Sequence, residues 1–152
     1  NRRVLVSHNK LPDSRWFGSM PEVLADKRGE GVDELITRIE KAAHDYPFKR
    51  QYSVWPGPNS NTFTAWVSRS VPELELDLPP TAIGKDFLGH QLFDSAPSGR
   101  GFQLSIYGML GILVSQVEGV ELNLLGLTFG VDPAPIAIKL PMVGRVGLTS
   151  QN

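Results

Sequence analysis

The stretch FQLSIYGMLGILVSQVEGVELNLLGLTFGVDPAPIAIKLPMVG, Phe102 to Gly144, decides the fold. It is a series of short runs rich in aliphatic and β-branched residues, cut by Gly108, Gly111, Gly119, Gly126 and Gly130. Runs of that length bounded by glycine read as strands, and VEGV at Val117 to Val120 has the form of a tight hairpin, so the stretch is predicted to be an antiparallel meander. Its apolar residues are expected to point inward, because a sheet that covers helices buries the face it turns toward them. The other arrangement is a lipid-facing or partner-facing surface.

Upstream of the meander the periodicity changes. From Val32 the apolar residues fall at Leu35, Ile36, Ile39, Ala42, Ala43 and Tyr46, the spacing of a helix with one buried stripe, preceded by Gly31 and ended by Pro47. Glu34 and Arg38 stand four apart in the orientation that favours a surface pair. Phe63, Trp66, Val67 and Val71 mark a second, shorter helix that Pro72 stops. In PELELDLPP, Leu74, Leu76 and Leu78 alternate with Glu73, Glu75 and Asp77, which predicts a half-exposed strand or extended edge closed by Pro79-Pro80. Residues 81–98 read as a loop with at most one helical turn, Arg2 to His8 as a short strand, and Trp16 and Phe17 as anchors within a loop. The fold class is therefore α+β: two helices packed on a mainly antiparallel sheet, in one domain over residues 1–152.

Composition narrows the function classes. Fifteen basic and 16 acidic residues leave a net charge of −1, so no global field favours nucleic acid, and no nucleic-acid partner is expected. Without cysteine there is neither a thiolate metal site nor a cysteine nucleophile. His8, His44 and His90 lack the spacing of a zinc site, so neither metal nor cofactor is expected. No stretch is apolar for long enough to form a membrane-spanning helix. The chain opens Asn1-Arg2-Arg3 without an initiator methionine, which is the expectation for the C-terminal part of a longer precursor.

The segment WPGPNSNTFTAW, Trp55 to Trp66, concentrates turn residues before the second helix. Asn59 and Ser60 are favoured N-cap types, which is one explanation of the turn. The other is chemical: a hydroxyl at the first turn of a helix feels the positive end of the dipole and nearby amides. Ser60 would then be a nucleophile, and it needs a base, for which His8 is a candidate. Asn59, Asn61 and Trp55 would surround a substrate, and Lys85 in IGKDF would bind an anionic group or be a solvated partner of Asp86. His44, beside Asp45 on a helix, reads as a solvated residue. Glu118, Glu121 and Asp132 lie in or near turns and carry no assignment. Gly99-Arg100-Gly101 lacks the lysine and spacing of a phosphate loop, and no GxSxG elbow occurs.

RWFG (Arg15 to Gly18), YxVWPGPNSNTF (Tyr52 to Phe63), VPEL, PPTAIGKD, APSG, NLLGLTFGVDP and KLP occur in the order found in an uncharacterised bacterial envelope family, a domain of unknown function, which this chain resembles. The resemblance implies a periplasmic or cell-envelope setting. Family members carry an N-terminal apolar segment and a histidine-tryptophan pair before RWFG, both absent here, so any membrane attachment would run through a segment outside this chain. NSNTF is more distantly similar to the NCxxF turn of circularly permuted papain-like hydrolases and acyltransferases, with Ser60 at the cysteine position. That likeness implies an amide or ester hydrolase or acyltransferase, without the low pKa of a thiol. The alternative is a noncatalytic envelope module that binds peptidoglycan, lipid or a protein partner.

Overall fold

The computed structural model describes residues 4, 5, 15 and 18–147. Most of the strand expected at Arg2 to His8, including His8 itself, and the Trp16-Phe17 pair lie outside the described residues. Val4 and Leu5 are described, and both of their amides donate to Lys49 O, at 2.8 and 3.2 Å.

Helix α1 runs Val32–Asp45 and helix α2 Ser60–Ser70. Gly31 caps α1 at φ 84°, a conformation glycine adopts without strain, and Asp33 and Glu34 place negative charge where the helix dipole favours it. The apolar stripe of α1 meets α2. Ala42, Val67 and Val71 are buried together, with Leu35, Ile39, Phe63, Trp66 and Leu74 packed around them. Trp66 Nε1 donates to Ala42 O at 2.9 Å, so the largest side chain at the seam also satisfies its polar atom. Tyr46 closes the end of the seam edge-on to Phe63, with ring centroids 5.1 Å apart. Arg38 turns away from Glu34 and pairs with Glu73 beyond the end of α2, which joins the two helices where a local pair was expected.

The alternation of PELEL does not form a strand. Pro72–Leu74 is a single 3-10 turn, and Glu75 follows in the left-handed region at φ 49°, so pleating is broken at its start. Leu78 still goes inside, against Ala65 of α2 and Ala82.

Seven strands follow: β1 Phe93–Ser95, β2 Gly101–Ile106, β3 Leu110–Ser115, β4 Gly119–Leu124, β5 Leu127–Pro133, β6 Ile136–Leu140 and β7 Gly144–Gly147. Among the described residues they form one antiparallel sheet in sequence order, the predicted meander, with β1 and β7 at its edges. The α+β class holds. Helix α2 meets the strands through Arg69, which donates to Ser95 O of β1 at 2.9 Å and to Gln103 of β2 at 2.6 Å, and elsewhere a further layer intervenes. The segment from Glu75 to Gln91 lies between α2 and the sheet, tied to α2 by Asn59, Asn61 and Thr62 and to the sheet by Lys85 and Asp77.

This intermediate layer reverses the expected facing of the strands. Period-two alternation puts Gln103, Ser105, Glu121, Asn123, Thr128, Asp132 and Lys139 on the covered side, all buried. Apart from Leu113 and Ala137, which are buried on the covered side, the apolar set points out. Registered rows run Phe102, Val114, Val120, Val131, Ile138, Val146 and Phe93, Leu104, Ile112, Leu122, Phe129, with Ile106, Leu110, Leu124, Leu127 alongside. Every one of these side chains is exposed. The inward expectation fails because the covering layer brings main-chain and charged groups, and these select the polar face of the sheet.

Between the layers sits a network of buried charges. Lys139, fully buried, donates to Glu118 O at 2.7 Å, Glu121 at 2.8 Å and Asp77 at 3.2 Å, and pairs with Asp132 at 2.9 Å. Burial alone would lower the Lys139 pKa, but Glu121, Asp132 and Asp77 together hold it above the ordinary lysine value. Arg145 also pairs with Asp132 and Asp77, so each carboxylate meets more than one cation. Glu118, on the same side, accepts from Ser98 N at 2.7 Å and from the hydroxyls of Ser98 and Ser115.

Candidate functional site

The turn before α2 is closed by Ser53 N donating to Pro58 O at 2.8 Å, and it delivers Asn59 to the N-cap position. Asn59 does the capping. Its Oδ1 accepts from Thr62 N at 3.1 Å, while its own amide donates to Thr62 Oγ1 at 3.1 Å. This reciprocal pair is a capping box with threonine in the place of the usual acid or amide. The spacing of asparagine and threonine three apart was visible in the sequence, and the role of Thr62 follows from it. Asn59 Nδ2 donates to Val54 O and Ile83 O, so every polar atom of the side chain is occupied by the fold. Asn59 is 8% exposed; it shapes the turn and lines both hollows beside Ser60. Gly84 is required beside it: a Cβ there would come within 2.5 Å of Asn59 Nδ2, at a φ of 88°.

Ser60 therefore is not the cap. It is the first helical residue, exposed, and it lies on the ridge between two hollows. One, of about 200 Å³, is walled by Leu5, Tyr46, Phe48, Tyr52 and Phe63. The other, of about 480 Å³, is walled by Val54, Trp55, Asn61, Thr81, Ile83 and Leu125. Trp55 is 41% exposed and lies across the β4–β5 turn, where a Cβ on Gly126 would sit 2.8 Å from its indole. Trp55 and Asn61 thus share a hollow with Ser60, although Asn61 Nδ2 is already bonded to Ile83 O at 2.9 Å. Phe63 N closes onto Asn59 O and Thr62 N goes to the cap. The first-turn amides of Ser60 and Asn61 remain for solvent or a ligand.

Lys85 lies elsewhere. It is 2% exposed, donates to Leu78 O and Glu121 at 3.0 Å each, and serves the interior charge network. The expected solvated loop lysine is absent because the loop is a buried layer. Its neighbour Asp86 is buried too, and its carboxyl is pushed up to about 6 by burial, against the opposing pull of its own backbone amide, Lys85 and Arg69. Tyr46 is likewise pushed up to about 12 by burial, which keeps it neutral at the wall of the smaller hollow.

His8, the expected base, lies outside the described residues. His44 faces solvent on α1 against Asp45, and His90 lies beside Tyr107 at a ring separation of 5.7 Å. Neither bonds to Ser60. Among the described residues no cluster of histidine and carboxylates is arranged to hold a metal ion. The aromatic lining by Tyr46, Phe48 and Tyr52 was missed in the sequence, since it comes from the α1–α2 connection folding back on the turn.

The protein family of unknown function DUF3750 matches residues 1–87, more than half of the chain, and the chain belongs to this family. The matched span holds both helices and the GPNSNTF turn and ends at Phe87, so the sheet lies beyond it. No curated protein and no solved structure matches the chain.

Proposed function

We propose that this DUF3750 member is a cell-envelope amide- or ester-bond hydrolase or acyltransferase of the permuted papain-like kind, with Ser60 as its nucleophile. One observation carries the reading: Asn59 takes over the cap, which leaves the Ser60 side chain exposed at a helix start between two hollows. A serine held only to start a helix would be expected at the cap itself.

In the proposed reaction the Ser60 hydroxyl adds to the substrate carbonyl as an imidazole accepts its proton. The oxyanion is met by the amides of Ser60 and Asn61, at the positive end of α2. Collapse expels the amine or alcohol, which takes the proton back from the imidazolium, and water or an acceptor then releases the acyl group. The base is an upstream histidine, His8 or one outside this chain. Peptidoglycan, rich in amide bonds, is the substrate class that fits an envelope location.

A noncatalytic binding module is the second reading, favoured by the exposed apolar sheet, which offers docking surface without chemistry. Labelling the intact protein with a fluorophosphonate separates the two. Wild type should react and Ser60→Ala should not; equal labelling of both, or of neither, refutes the catalytic role.

A further inference from the structure

The outward face of the meander is the largest feature that the site does not use. Its three registered rows contain no charged residue, and central members such as Ile112, Leu122 and Phe129 are 48, 45 and 40% exposed. Seven strands about 4.8 Å apart make the face about 29 Å wide, and strands of this length make it about 17 Å tall. At roughly half exposure the side chains leave on the order of 1,000 Å² of apolar area in water. The largest apolar patch of a monomer is usually about 300–600 Å², whereas a stable interface takes about 800 Å² from each partner. The face has the size of an interface.

We propose that its occupant is a second copy of this chain, stacked face to face as the other half of a β-sandwich. The inner face is already filled by the Lys85 layer, so each copy has one free face. Two identical sheets about 10 Å apart with a two-fold axis between them would bury both. An isologous contact sets the same patch of both copies together, residue i on j and j on i, and a face without charges meets itself without repulsion. A lipid bilayer fits less well. Among the described residues the longest strand, β5, has 7 residues, fewer than the 9 or so a membrane strand requires, and the backbone edges at β1 and β7 carry no further strand that would satisfy them in hydrocarbon. Self-association does not depend on the role given to Ser60.

Light scattering and sedimentation of the intact protein at micromolar concentration test this. Wild type should be a dimer. Leu122→Lys, at the centre of the face, should raise the dissociation constant by about 100-fold or more, with an unchanged circular dichroism spectrum, because dimerisation would bury an unpaired ammonium. In case that variant fails to fold, the cysteine-free chain offers a second test: Leu122→Cys should crosslink to its copy on oxidation, and Asp33→Cys on exposed α1 should not. A monomeric wild type refutes the proposal, and if that monomer floats with phospholipid vesicles, lipid is the occupant. Equal crosslinking of the two cysteine variants also counts against it.

Discussion

Replacing Lys139 by methionine tests the account of the interior most directly. The ammonium is fully enclosed and lies within 3.2 Å of Glu121, Asp132, Asp77 and Glu118 O. Methionine keeps the length and apolar stem but removes the charge, so Glu121 is left with Lys85 alone, and Asp132 and Asp77 are left with Arg145. Removing one partner of a buried ion pair costs about 3–5 kcal/mol, because the remaining charge stays desolvated. At about 2–4 °C per kcal/mol for a chain of this size, the melting temperature should fall by about 6–20 °C. Adding Glu121→Gln restores the charge balance, and the double variant should be more stable than the sum of the two single costs by about 1–3 kcal/mol. Thermal melts by circular dichroism at one fixed protein concentration measure both quantities. A Lys139→Met melt within about 2 °C of wild type, or costs that simply add, would mean that the cluster does not hold the layers together.

Asp86 carries a pH signature. Its folded pKa of about 6 lies above the ordinary 3.8, so the native state holds the proton more tightly than the unfolded chain does. That contribution is complete below about pH 4 and is lost as pH rises through about 6. Asp86→Asn should therefore gain stability relative to wild type, by about 2–3 kcal/mol, between about pH 4 and pH 8. Urea titrations at the two pH values measure it, and a pH-independent difference refutes the buried carboxyl. Capping divides between neighbours: Asn59→Ala should cost at least about 1–2 kcal/mol, and Ser60→Ala less than about 0.5 kcal/mol. Comparable losses in chemical denaturation would show that Ser60 is structural after all.

Much of the fold was legible as local pattern. The 3.6-residue spacing from Val32, with Gly31 and Pro47 at its ends, specifies α1 without reference to anything else. The alternation between Phe102 and Gly144 likewise specifies the meander and its hairpins. At the turn before α2, GPNSNTF marked the helix start, and Asn59 with Thr62 three residues on contained the cap. The strand reading of PELEL failed because Asp77 answers to Lys139, 62 residues away, and no window around Leu76 contains that partner.

What the sequence determined by itself was which residues share a side. Alternation along a strand and spacing along a helix are set by backbone geometry, so the apolar set of the sheet was defined before any packing. Which side faces inward was decided only in three dimensions. The layer from Glu75 to Gln91 lies between much of α2 and the strands, and its buried Lys85, with Asp77, required polar partners, so Glu121 and Lys139 turned in and Leu122 and Ile138 turned out. A charge removed from water must find a counter-charge wherever the chain brings one, and that distance is not written in any local pattern.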